Sequence, residues 1–223
     1  MRKLAFPSIT LTAFLVFSSP QLSSYARVTQ FPAEQPFFRE GGYQVGDQVR
    51  DFRLKNVDGK LVSLADNPDA KGYILVFTCN TCPISQAYEN RLIALHAQYA
   101  SRGYSVIAIN PNDPDVAVGD SFDNMKKRAS SKAYTFPYLT DENQEVAKAY
   151  GARSTPQVFI VSKKTGSFVL EYTGAIDNNP EEAERVTKKY VETAMTDILA
   201  GRPAATNTTK SIGCAIKWRK GNE

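Results

Sequence analysis

The hydrophobic pattern changes period at Cys79. Before it, Tyr73-Ile74-Leu75-Val76-Phe77-Thr78 is an unbroken, largely β-favouring apolar run, the pattern of a central strand covered on both faces. After it, Tyr88, Leu92, Leu95 and Tyr99 recur at three- and four-residue spacing in a segment from about Thr81 to Tyr99, the stripe of an amphipathic helix. A buried strand running straight into a long helix commits the chain to an α/β architecture, because that strand needs paired neighbours and helices to cover it. The remaining sequence supplies them. Val49–Leu54 reads as a strand, Asp58-Gly59 as a turn and Leu61–Leu64 as the returning strand, an added N-terminal β-hairpin. Asn67–Lys71 is a loop, Ser105–Asn110 a second buried strand, and Asn110–Asp120 a loop rich in Asn, Asp and Pro. Ser121–Ser130 is predicted helical, with Lys126, Lys127 and Arg128 on a solvated face. Phe136–Leu139 is a short, edge-like strand. Thr140 or Asp141 caps a helix over Glu142–Tyr150. Gln157–Val161 and Phe168–Tyr172 form a hairpin about Lys164-Thr165-Gly166, and Pro180–Leu199 is a final amphipathic helix. The expected fold is a central mixed β-sheet flanked by helices over residues 46–201, after an irregular lead-in over 27–45. A C-terminal tail, 202–223, packs back onto the domain with Trp218 as its anchor.

The chemistry is concentrated in Cys79-Asn80-Thr81-Cys82-Pro83. Two intervening residues let two thiols close a small ring without large backbone movement. At a helix start, unpaired N–H groups and the helix dipole favour a thiolate. Such a thiolate attacks a substrate disulfide, and the second thiol resolves the mixed disulfide. Cys79 is the expected nucleophile and Cys82 the expected resolving thiol, with Pro83 tolerated at the first helical position. A purely structural bridge or half of a zinc site are the bland alternatives. Three cysteines are too few for a four-thiolate site, and the single histidine, His96, excludes catalytic zinc sites built on several imidazoles. No cofactor and no metal are expected. Cys214 reads first as a buried packing thiol and second as a third redox thiol meeting Cys79 or Cys82. Thr155-Pro156 opens the strand beginning at Gln157, where the missing N–H of proline is tolerated. Asp120 and Asp123 read as acids placed favourably at a helix start.

The first 26 residues have the form of a secretory signal. Arg2 and Lys3 are a basic start, Leu4–Phe17 an apolar run, and Ser24-Tyr25-Ala26 a cleavage site with small residues at the two positions read. The apolar run is shorter than the roughly 20 residues a membrane-spanning helix needs, so no stable membrane insertion is expected after cleavage behind Ala26. The expected location is periplasmic or secreted, where disulfides persist. The formal charge of +4 falls to +2 once Arg2 and Lys3 are removed, no footprint for nucleic acid.

These motifs together resemble the thioredoxin-like superfamily, on the redoxin branch with AhpC/TSA-like members. Val45-Gly46-Asp47, Asp51-Phe52, Leu54, Asp58-Gly59-Lys60 and Leu64 resemble that branch's N-terminal hairpin. Phe77-Thr78-Cys79-Asn80-Thr81-Cys82-Pro83, Asn110-Pro111-Asn112-Asp113 and Gly213-Cys214-Ala215-Ile216-Lys217-Trp218 are similar to bacterial redoxin-domain proteins. The resemblance implies a thioredoxin-like fold, with Cys79 and Cys82 as the active pair and a cis Pro156 facing them. Thr78, Asn80, Thr81, Pro83 and Thr155 are then the supporting residues. It implies thiol-disulfide oxidoreductase activity on protein or small-molecule disulfides or dithiols, with an upstream redox partner. A thiol-dependent peroxidase and a redox-inactive or redox-sensing binding domain are the alternatives. The chain also departs from its relatives. Thr78 stands where thioredoxins carry Trp, and Tyr73–Phe77 lacks their buried acid. Set on a peroxiredoxin, Cys79 occupies the Thr position and Pro156 the position of the essential Arg. Copper-chaperone relatives space their cysteines one residue further apart.

Overall fold

The computed structural model describes residues 41–222. The expected signal segment, and the lead-in up to residue 40, lie outside the described residues. In chain order the strands and helices are β1 (Gln48–Val49), β2 (Leu54–Asn56), β3 (Leu61–Val62), β4 (Gly72–Phe77), α1 (Pro83–Tyr99), β5 (Tyr104–Asn110), α2 (Phe122–Ser131), β6 (Tyr138–Thr140), α3 (Glu145–Tyr150), β7 (Ser154–Thr155), β8 (Gln157–Lys164), β9 (Ser167–Gly174), α4 (Tyr190–Leu199) and β10 (Cys214–Ala215). Eight strands make one mixed sheet in the order β1-β9-β8-β4-β5-β6-β2-β3, and β10 pairs with β7 in a separate two-stranded ribbon.

The strand over Tyr73–Phe77 is central because both of its edges are used. It pairs parallel with β5 and antiparallel with β8 over its whole length. Its side chains alternate between two cores, as the period of two requires. Ile74 and Val76 face a layer built by Tyr88, Leu92, Leu95 and Tyr99 of α1, Met125 of α2, and Val191 and Met195 of α4. Tyr73, Leu75 and Phe77 face the other layer, with Val146 and Tyr150 of α3 and the N-terminal Val49, Phe52 and Leu64. Every residue of β4 is buried, and a fully buried Val, Leu or Phe side chain contributes roughly 1.5–3 kcal/mol. The helix stripe read from sequence is therefore the face α1 lays on this sheet. At the far end of α1 the chain tightens into a 3-10 turn and stops at Gly103, whose φ of 91° is left-handed. Glycine adopts that conformation without the Cβ penalty, the usual helix stop.

Several elements differ from expectation. Val49–Leu54 is not one strand. Asp51 breaks it, using its carboxylate to accept from the Ser63 hydroxyl and the Leu64 N–H. β1 consequently joins β9, while β2 pairs with β3 and β6. Leu64 leaves the returning strand because Ser63 caps a short 3-10 turn. β6 is not an edge, since β2 covers its outer side. The third helix begins at Glu145 rather than Glu142, and its N-cap residue is Gln144, not Thr140 or Asp141. Asp141 reaches the first turn from outside, accepting from the Val146 and Ala147 N–H groups. The last helix begins only at Tyr190, because residues 180–189 are an irregular segment with a single 3-10 turn at Ala183–Arg185. Arg128 is not simply solvated, since its guanidinium donates to the buried Glu89 carboxylate at 2.5 Å.

After α4 the chain crosses back to the sheet. Ile216 is buried and Trp218 packs against the second core layer. This return carries Cys214 to β7.

Candidate active site

The loop joining β4 to α1 is held from below by hydrogen bonds rather than by its own turn. Thr78 is buried and donates its N–H to the Ile109 carbonyl at 2.8 Å, extending the β4–β5 ladder by one residue. Asn80 donates its N–H to Asp120 at 2.5 Å and its side-chain amide to the Gly119 carbonyl at 3.0 Å. The Thr81 hydroxyl donates to the other Asp120 oxygen at 2.6 Å. Tyr138 donates its hydroxyl to the Asn80 side-chain oxygen at 3.0 Å. Burial, and then the neighbouring Asp120 charge, push the Tyr138 hydroxyl well above the usual tyrosine range, so it serves as a neutral donor. Pro83 is the first residue of α1, and Cys82 is its extended N-cap residue, just outside the first turn rather than within it.

Cys79 is a free thiol, 4 % exposed. Its sulfur lies 3.1 Å from the Thr155 hydroxyl and 3.9 Å from the buried Ser85 hydroxyl. Cys82 is 3 % exposed, with its sulfur 3.2 Å from the Thr155 carbonyl oxygen. Thr155 is completely buried and the Thr155–Pro156 peptide bond is cis. Cys79, Cys82 and Thr155-Pro156, 70 residues and more apart in sequence, thus meet in one place.

The disulfide is not the one the spacing suggests. Cys82 is bonded to Cys214, with the two Cα atoms 6.0 Å apart, an ordinary separation for a disulfide. Cys214 is half-buried, so its reading as a buried packing thiol is corrected. The physical reason is β10, which pairs antiparallel with β7 and sets Cys214 opposite Thr155. A strand pairing between Thr155 and Cys214 that closes a bond between cysteines 132 residues apart has no local signature.

Asp120 is the site residue that sequence reasoning missed. Taken for an acid at a helix start, it is 3 % exposed and lies at the hub of the loop. Besides Asn80 and Thr81 it accepts from the Asn112 side-chain amide at 2.9 Å and from that of Asn110 at 3.3 Å. Asn112 in turn accepts from the Lys217 N–H at 2.9 Å. A hydrogen-bonded path therefore runs from the Cys79–Cys82 loop to the segment that carries Cys214. The polar composition of Asn110–Asp120 was the only available signal.

His96 stands apart from this site. It sits half-buried on α1, accepting from the Val106 N–H at 3.3 Å and packing on Phe136. Burial lowers its pKa. Among the described residues no three His, Cys, Asp or Glu side chains are grouped as metal ligands, and no helix is long and apolar enough to cross a membrane. An open groove of about 520 Å³ runs beside Asn80 and Thr81, with Lys127 and Arg128 on its wall.

The sequence model described as the AhpC/TSA family matches residues 45–167, from the lead to β1 through to the start of β9. This chain belongs to the AhpC/TSA family. The match stops short of β10, so the Cys82–Cys214 bond joins the AhpC/TSA region to a segment beyond it. Among solved structures, an uncharacterized conserved protein of Geobacillus kaustophilus is 38% identical, with a TM-score of 0.72, covering 79% of this chain and 93% of that one. A hypothetical protein of Sinorhizobium meliloti is 32% identical, with a TM-score of 0.73, covering 80% and 96%. Among curated proteins, the thiol-disulfide oxidoreductase ResA of Halalkalibacterium halodurans is 25% identical over 149 residues, 67% of this chain and 76% of that protein.

Proposed function

We propose that this AhpC/TSA-family chain is an exported thiol-disulfide oxidoreductase that passes a disulfide through Cys82. Its substrates are protein or small-molecule disulfides or dithiols, and an upstream redox protein is its partner. One observation carries the reading. A disulfide stands on the N-cap residue of a long helix, against Thr155-Pro156, with a free thiol three residues earlier in the same loop. Disulfide exchange needs a thiolate that attacks, a thiol that leaves well and access to both. The unpaired N–H groups at the start of α1 favour negative charge on sulfur there. Thr78, Asn80, Thr81 and Pro83 hold the loop, and Thr155 and Pro156 wall it. The curated relatives named as thiol-disulfide oxidoreductases support the same activity. Export rests on the Met1–Ala26 pattern, and places the protein where a disulfide persists.

Turnover of a model disulfide such as insulin, with dithiothreitol as donor, tests the activity. The wild type accelerates reduction and Cys82→Ser falls to the uncatalysed background. Full turnover by Cys82→Ser would refute the reading. Stopped-flow mixing of the reduced protein with hydrogen peroxide separates it from a peroxidase. With Pro156 where a peroxiredoxin-like site has Arg, reaction is expected to stay close to that of a free thiol. A rate constant orders of magnitude higher makes peroxide the substrate instead. Intact-mass measurement on protein from the native host checks export, and a chain still carrying Met1–Phe17 contradicts it.

A further inference from the structure

All three cysteines meet at one residue. The Thr155 hydroxyl touches Cys79, its carbonyl oxygen touches Cys82, and its Cα is the register partner of Cys214 across β7 and β10. Resting on the oxidoreductase reading above, we propose that Cys82 is a shared sulfur that exchanges its disulfide partner between Cys214 and Cys79. The disulfide thereby moves between the C-terminal strand and the buried loop.

The step balances within the chain. The Cys79 thiolate attacks the Cys82 sulfur, the Cys79–Cys82 bond forms, the Cys82–Cys214 bond breaks, and Cys214 leaves as a thiolate. The proton given up by Cys79 is taken up by Cys214. One disulfide is exchanged for another, so no oxidant or reductant is consumed. Thr155 is the positioning residue, since its hydroxyl donates to the Cys79 thiolate and its backbone sets Cys214 in register.

Accessibility gives the exchange a purpose. Cys79 and Cys82 are 4 % and 3 % exposed, whereas Cys214 is half-buried at the end of the fold. Cys214 is the sulfur that a bulky partner reaches. With the bond at Cys82–Cys214 a partner thiol attacks Cys214, and with the bond at Cys79–Cys82 a free Cys214 thiol is presented to a partner disulfide.

The C-terminal segment is built for this. β10 pairs through only two residues. Just before it, Gly213 lies directly on the Thr155–Pro156 peptide, where a Cβ would stand 2.3 Å from the Thr155 carbonyl oxygen and 2.6 Å from its carbon. Only glycine lets the strand approach this closely. The segment is anchored separately further on, by Lys217 to Asn112 and Asp113, and by the Arg219 N–H to Gln144. Ile216 is buried as well. Breaking the Cys82–Cys214 bond therefore leaves Cys214 close by, and the exchange is reversible.

Disulfide mapping on the full chain tests this. The oxidised protein is incubated with a trace of dithiothreitol, quenched with acid, alkylated and digested after Lys and Arg without reduction. A Cys82–Cys214 bond joins the peptide from Gly72 to Arg91 to that from Ser211 to Lys217. A Cys79–Cys82 bond leaves the first peptide lighter by two hydrogens and the second alkylated. Both species are expected in the wild type, only the joined peptides in Cys79→Ser, and only the internal bond in Cys214→Ser. Gly213→Ala, with all three thiols intact, should raise the ratio of Cys79–Cys82 to Cys82–Cys214 severalfold. The proposal is overturned if wild type holds Cys82–Cys214 alone and oxidised Cys214→Ser keeps Cys79 and Cys82 as free thiols. If insulin turnover survives in that case, only the exchange has failed. Loss of all turnover, in wild type as well, would condemn the oxidoreductase reading itself.

Discussion

Replacing Asp120 by alanine removes the acceptor at the centre of the loop. The Thr81 side chain is exposed, so its hydroxyl turns to water at little cost. The Asn80 N–H and the Asn112 amide are buried and lose their partner. The Asn110 amide keeps a weak contact with the Asp120 backbone carbonyl at 3.5 Å. Two stranded donors, at about 1–3 kcal/mol each, give a gross loss of about 2–6 kcal/mol. Removing a buried carboxylate also relieves its desolvation, which offsets part of that. A net loss of about 2–4 kcal/mol is expected. In urea, at about 2 kcal/mol per molar for a domain of this size, the midpoint falls by about 1–2 M. Asp120→Asn keeps one carbonyl acceptor and should lose about half as much. Asp123→Ala is the control. Asp123 looks equivalent in sequence, but its side chain is 79% exposed, and the expected change is within about 0.5 kcal/mol. Equal unfolding curves for Asp120→Ala and Asp123→Ala would refute the hub.

Glu89→Gln should destabilise the protein by about 2–4 kcal/mol at neutral pH, because Arg128 and Lys132 lose their buried partner. Burial raises the Glu89 pKa, but hydrogen bonds from Arg128, Lys132 and Tyr134 outweigh it and hold the carboxyl below its ordinary 4.5. Its stabilisation is therefore present above that value and lost as pH falls through the lowered one. Urea titrations at several pH values should show the gap to wild type closing in acid, and a gap independent of pH contradicts this. Asp141 has the opposite sign. Burial lifts its pKa from 3.8 to about 6, against the lowering by the Ala147 and Val146 N–H groups. The stabilisation linked to its protonated form is complete below 3.8 and lost as pH rises through about 6. Asp141→Asn should therefore gain about 3 kcal/mol relative to wild type between pH 3.5 and 7.5, read from the same titrations, and parallel pH curves exclude it. Phe77→Ala empties a fully buried position between Tyr150 and Phe159 and should cost about 3–5 kcal/mol in chemical denaturation. A loss below about 1 kcal/mol would show that the second core layer does not close on this ring.

The central architecture was legible because its signals are local. The apolar run over Tyr73–Thr78, the stripe on Tyr88, Leu92, Leu95 and Tyr99, and the hairpin about Lys164-Thr165-Gly166 each report their own periodicity, and each element formed where its period placed it. Misreadings arose where a polar side chain overrode the pattern. Asp51 split a strand by bonding Ser63 and Leu64, and Ser63 pulled Leu64 into a 3-10 turn. The status of β6 depended on β2 arriving beside it from more than 80 residues upstream.

By itself the sequence determined that two cysteines stand at a strand-to-helix junction, because hydrophobic periodicity and the position of Pro83 act over a few residues. Which cysteine is bonded to which was decided by the tertiary structure. The pairing of β10 with β7, possible only because Gly213 has no side chain, carries Cys214 to Thr155 and onto Cys82. The same holds for Asp120. A carboxylate at a helix start looks alike in sequence whether it faces water or the underside of the Cys79–Cys82 loop. Only the packing of the Asn110–Asp120 loop beneath Asn80 and Thr81 turned this one inward, where buried donors had no other acceptor.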